Sequence, residues 1–264
     1  MWYTGRMNLI KILTNWRFPY RAFPFISAGA WTLTISFLLV YWLANGRPIF
    51  PSQSQPRIAY ISDIGGFRLK PLFITGCAVT IGAFWVTLLR IHFLWSQRLQ
   101  RLNLIFGRVC SGAAVVSGIA AGLGLVLVSV LDVYHFRVVH IVFLHIFCAG
   151  MLFTATFTVV TDLLLRHPKR IDHRSATRIN SAEFKNFVIY GLLVSEWVLV
   201  IIFVALFAHK FLFLVGILEW VIAYLLVPYL ALTSIYMDQD GYLPLQDGLP
   251  CFDQISLELP TLTV

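Results

Sequence analysis

The residues able to do chemistry are few, and they sit in apolar company. Glu219 and Glu196 fall inside two long apolar runs, and His140 opens a third, with His145 slightly deeper. An ionisable group inside a bilayer costs about 2.5–3.5 kcal/mol on insertion scales, so each is a functional candidate from the outset. The strip AYISDIGGFRLKPLF (59–73) adds Ser62, Asp63 and Arg68, and the short stretch before His140 adds Asp132, His135 and Arg137. Ser62, Asp63, Arg68, Asp132, His135, Arg137, His140 and Glu219 thus define a candidate polar cluster. Low dielectric around it would shift pKa values. Such a cluster suits either gripping a polar headgroup or acid–base work, for which His140, Asp63 and Glu219 are the candidates. The same residues also fit an interhelical hydrogen-bond network that only fixes a bundle.

More specific chemistries are weakly supported. A zinc site from His135, His140 and His145 would need converging imidazoles, but five-residue spacing turns each about 140° from the last on a helix. No HExxH or paired-cysteine pattern accompanies them, so neither metal nor cofactor is expected. A hydrolase using Ser62, His140 and Asp63 lacks the GxSxG turn. Asp162 has Arg166 four residues on, which predicts a local ion pair. In SDIGG, Ser62 and Asp63 suit hydrogen bonds to the backbone just ahead, and the glycines suit a tight turn.

The elements that must position these groups are membrane helices. The chain has 264 residues, 59% hydrophobic and 12% charged, against roughly 25% charged in soluble domains. One soluble core could not hide so much apolar surface. Six apolar runs have spanning length: about 22–43, 71–95, 109–131, 138–165, 187–208 and 211–236. The fold expected is an all-α polytopic transmembrane bundle of six helices. The first run is longer than a signal-peptide core and reads as retained. Of the 20 Lys and Arg, fourteen fall on the side of both termini, which puts both termini in the cytosol and the 59–73 strip on the outer face. Residues 1–21 read as a basic interfacial segment, 22–236 as the transmembrane domain, and 237–264 as an acidic, disordered tail. The net charge of +8 is topological rather than a sign of nucleic-acid binding. On the inner side, Lys169, Arg170, Arg174 and Arg178 form a patch suited to anionic lipid, including phosphoinositides, as well as to plain anchoring. Ala114, Gly118 and Gly122 share one helix face, which suits close packing within the bundle or between two copies. The oligomeric state stays open.

Three segments carry a resemblance that covers nearly the whole chain. AYISDIGGFRLKPLF resembles the first-loop signature of the six-span Frag/DRAM/Sfk membrane proteins, most closely the Sfk-like branch. SVLDVYHFRVVHIVF (129–143) is similar to the end of that family's third span, its short loop and the His opening the fourth; GILEWVIAYLLVPYLALTSIYMD (216–238) resembles its last span. The family's marks fall on Tyr60, Ser62, Asp63, Gly65, Pro71, His140, Glu219 and Trp220. The resemblance implies a regulator of membrane lipid homeostasis, working with a phosphatidylinositol 4-kinase complex at the plasma membrane. Other branches imply remodelling of glycosylphosphatidylinositol or phospholipid at the outer leaflet, or autophagy and lysosomal modulation; the intramembrane acids Glu196 and Glu219 also suit a lipid transporter. Those would place the chain in Golgi, endoplasmic reticulum, lysosome or vacuole. No motif commits it to catalysis.

Overall fold

The computed structural model describes residues 20–166 and 179–237. The expected segments 1–19, the basic patch Lys169, Arg170, Arg174 and Arg178, and the tail from 238 lie outside the described residues. A 3-10 turn at Tyr20–Ala22 leads into α1 (Phe23–Ala44). A short helix, α2 (Ile61–Gly65), interrupts the long connection that follows. Then come α3 (Lys70–Arg101), α4 (Ile105–Val130), α5 (Arg137–Arg166), α6 (Ile179–Ala208) and α7 (Leu212–Leu232), ending in a 3-10 turn at Thr233–Met237. Six helices are long and apolar enough to cross a membrane, so the all-α six-span bundle is the fold. The spans match the apolar runs to within a few residues, except that α3 continues to Arg101.

Neighbours in sequence are neighbours in space. α1 packs on α3 and α7, α3 on α4, α4 on α5, and α6 on α7, with a lighter α5–α6 contact closing the ring. In lipid the ring cannot be held by the hydrophobic effect, so close packing and hydrogen bonds must hold it. Both are present. Ser27 Oγ donates to the Thr80 carbonyl at 2.9 Å, and Trp31 Nε1 to the Ala223 carbonyl at 2.7 Å. Trp85 Nε1 donates to the Gly118 carbonyl at 3.0 Å, and Ser117 and Thr154 hydroxyls pair at 3.0 Å. Gly118 and Gly122 lie against Leu88 and Trp85 of α3, so the small-residue face is covered within the chain. At Gly124 a Cβ would sit 2.9 Å from the Phe147 backbone nitrogen, and at Gly150 2.9 Å from the Ser117 carbonyl oxygen. Backbone meets backbone there, and only glycine leaves room.

Turns are terminated by left-handed residues: Gly46 and Arg47 after α1, Asn103 after α3, and Lys210 after α6. Pro228 sits inside α7, where it is tolerated because neighbouring helices share the burial. One core cluster lies under the 45–69 connection and includes Trp31, Ile64, Phe73 and Trp220. A second, around Trp95, Leu99, Leu165 and Tyr236, closes the opposite end.

Candidate functional site

The 45–69 connection is folded down over one end of the ring. Trp220 Nε1 donates to the Ala59 carbonyl at 3.0 Å, and the Tyr60 hydroxyl to the Leu212 carbonyl at 2.9 Å. Gly216 makes room for this docking, since a Cβ there would meet Ile58 at 2.6 Å. Burial, with the Glu219 and Asp63 charges nearby, pushes the Tyr60 phenol up to about 12.

Most of SDIGG is helix rather than tight turn: Ser62 to Gly65 belong to α2, and Gly66 is its C-cap and opens the turn that follows. The Asp63 carboxylate reaches back, accepting from the Tyr60 backbone N–H at 3.1 Å, while Ser52 Oγ donates to its other oxygen at 2.6 Å. This is half of a capping box. Neither glycine there has a positive φ. Gly65 is needed because a Cβ would strike the Phe73 ring at 2.6 Å. Asp63 is 1% exposed. Burial pushes its carboxyl up, against the pull of the Ser52 and Tyr60 hydrogen bonds and the His140 and Arg137 charges. Its described hydrogen bonds organise the cap.

The expected cluster separates into two parts. The surface part is a clasp: Lys70 Nζ lies 2.8 Å from Asp132 Oδ2, and His135 Nδ1 lies 2.8 Å from Asp132 Oδ1. Arg137 donates to Ser54 Oγ at 2.9 Å. Burial would raise the Asp132 carboxyl, but hydrogen bonds from Lys70 and His135 outweigh it and hold it well below the usual carboxylate range. Arg68 is exposed, with no hydrogen bond or ion pair among the described residues. Lys70, Ser52 and Ser54 were not among the expected site residues, although Lys70 stands in the 59–73 strip and its partner Asp132 was a candidate.

The second part lies within the ring. A cavity of about 100 Å³ is lined by every spanning helix, from Trp31 of α1 to Tyr229 of α7. Its walls are mostly apolar, and they carry Ser62, His140, Cys148, Glu196 and Glu219. His140 is 2% exposed. Its Nδ1 lies 2.7 Å from the Leu131 carbonyl oxygen, and its Nε2 is buried without a partner. Glu196 Oε1 is also buried and unpaired. The Ile61 backbone N–H faces the Glu219 carboxyl, and the Asp63 charge reaches both Glu219 and His140.

His140 and Glu219 thus share a cavity, and Asp63 stands just behind it. A Ser62–His140–Asp63 relay is not assembled, because the imidazole Nδ1 is held by Leu131 and the carboxylate by Ser52 and Tyr60. His135, His140 and His145 take three different partners, the last being the Ile141 carbonyl at 2.7 Å. Among the described residues no group of three metal-ligating side chains forms. Arg166 Nε does pair with Asp162 Oδ2, at 2.6 Å.

No curated protein and no solved structure matches the chain. A family model does, over residues 19–238, described as the Frag1/DRAM/Sfk1/Cwh43P N-terminal domain. That span takes in the capping connection, the cavity and all six membrane helices, and it does not distinguish branches. The chain belongs to this family of membrane proteins.

Proposed function

We propose that this integral membrane protein is a regulator of lipid homeostasis that works by holding the polar end of a membrane amphiphile inside its helical ring, beneath the outer-face cap. The observation that supports this reading is the cavity itself: apolar walls from six helices that also carry Glu219 and the residues His140 and Glu196, each with a buried, unpaired polar atom. Buried polar atoms in a native fold nearly always have partners. Small-ligand sites combine apolar walls with a few placed polar groups. Arg137 ties the cap to the start of α5 through Ser54, and the clasp of Lys70, Asp132 and His135 joins α3 to the α4–α5 loop beside it. Engagement of phosphoinositide kinase machinery at the inner face, the other half of the sequence expectation, rests on the patch at 169–178 and on the family resemblance.

The test is co-purification. Full-length protein is reconstituted in nanodiscs of defined mixed lipid, washed, and its retained lipids quantified by mass spectrometry. One amphiphile class is expected to be enriched over the bulk mixture and to be lost in Ala223→Phe, which fills the cavity, and in Glu219→Gln. Retained lipid that merely mirrors the bulk would overturn the reading. The same spectra report any new lipid product, which would favour the remodelling-enzyme alternative.

A further inference from the structure

The polar residues in the cavity wall have a common character. The Leu131 carbonyl can only accept, so His140 Nδ1 carries the hydrogen, and in the neutral ring Nε2 is left as a lone-pair acceptor. Glu196 Oε1, buried and unpaired, is an acceptor when ionised. Glu219 brings a second carboxyl, and the charges of both acids reach Cys148, which shares the cavity wall with them. Among the described residues no Lys or Arg lines the cavity. Elsewhere in the described structure carboxylates do have cations: Lys70 serves Asp132, and Arg166 serves Asp162.

This set discriminates between headgroups. A phosphate or carboxylate would be buried among acceptors and acids with no cation to pair it, which is the costly case. A protonated amine supplies what is missing, namely N–H donors for the lone pairs and a countercharge for an ionised carboxylate. The volume of about 100 Å³ corresponds to roughly three waters by liquid share, enough for a small head and not for a lipid tail. The tail must leave the ring. The α5–α6 seam suits its passage, because α6 is the least buried of the six described spans.

We infer that the cavity takes the ammonium head of a long-chain amine, seated between Glu196 and Glu219 beside Cys148, with its tail passing out into the bilayer. This rests on the proposed function and names the ligand class for that site. Cys148 is a native reporter. In nanodiscs, the full-length protein is alkylated with a membrane-permeant maleimide and modification at Cys148 is read by peptide mass spectrometry, with Cys148→Ser as the blank. Dodecylamine, dodecanol, dodecanoic acid and dodecyl phosphate are compared at equal mole fraction, since they share one tail and differ only in the head.

Dodecylamine is expected to protect Cys148 at an at least tenfold lower mole fraction than the other three. Glu219→Gln and Glu196→Gln should each erase that preference, folding being checked by size-exclusion profile. If the alcohol, acid or phosphate protects as well as the amine, amphiphile binding stands and the amine assignment falls. If none of the four protects, the cavity-binding reading falls with it. An amine preference that survives in both glutamine variants overturns the role given to the two acids. Should either variant misfold, the four-head comparison on the native chain decides alone.

Discussion

At the scale of single residues, two buried aspartates at the capped end respond oppositely to pH. Asp63 has its carboxyl pushed up by burial. The folded state therefore holds that proton more tightly than the unfolded chain. Its contribution is complete below the ordinary carboxylate range and is lost as pH rises through the raised value. Asp132 is held down by Lys70 and His135 against its burial. Its contribution is complete above the ordinary range and is lost only as pH falls below it. Asp63→Asn keeps an oxygen for the Tyr60 N–H and removes the titration, so it should flatten the loss of thermal stability that the native protein shows as pH rises above the ordinary carboxylate range. Asp63→Ala strands Ser52 and the Tyr60 N–H and should cost about 1–3 kcal/mol. Melting followed by fluorescence-detected size exclusion distinguishes the two. Equal losses for both variants would mean that the negative charge, not the cap geometry, is what the fold needs. The sequence made Asp63 conspicuous but could not show which way its carboxylate points, because Ser52 lies eleven residues away across an irregular loop.

At the scale of elements, the six spans were legible because 18-residue apolar windows survive any tertiary context. Which glycine faces which helix was not. Ala114, Gly118 and Gly122 form the visible stripe, and two of them meet α3. The tighter contact, between α4 and α5, uses Gly124 and Gly150, which come from different helices and form no single-chain pattern. Helix α2 escaped for a related reason. It has only five residues, and it is stabilised by Trp220 and Leu212 from the far end of the sequence as much as by its own cap. The Gly150 site yields a sharp expectation. A methyl there would press on the Ser117 carbonyl oxygen at 2.9 Å and on the Ala121 Cα at 3.0 Å. Gly150→Ala should therefore destabilise the bundle by about 1–3 kcal/mol through overpacking, although alanine is the better helix former. Gly29 and Gly82, with nothing within 4 Å of the place a Cβ would take, should accept alanine at no cost. A Gly150→Ala protein that melts like these two would show that α4 and α5 can slide apart.

At the scale of the whole molecule, the ring is unevenly closed. α4 and α5 are locked backbone to backbone, whereas α6 is covered over 6% of its central window, and α5 over 33%. Across the α5–α6 seam, Trp197 Nε1 donates to Thr156 Oγ1 at 3.1 Å, and the Trp197 ring packs edge-on against Phe153 with centroids 5.9 Å apart. The cavity lies directly behind this seam, with Cys148 and Met151 of α5 and Glu196 of α6 in its wall. On the proposed reading, stability and access are carried by different helices: the first four spans and the cap hold the fold, and α6 governs entry from the bilayer. Trp197→Ala removes both the hydrogen bond and the ring contact. It should leave the melting midpoint almost unchanged, since little of α6 is buried. Losing a hydrogen bond with a net value of about 0.5–1.5 kcal/mol should raise the rate of Cys148 alkylation by roughly twofold to tenfold if that rate follows opening of the seam. Thr156→Val, which deletes the acceptor and keeps the shape, should give the smaller part of that increase. An alkylation rate indifferent to both changes would mean that Cys148 is reached through the cap, and the entry route would then have to be placed at the docking of the 45–69 connection on α7.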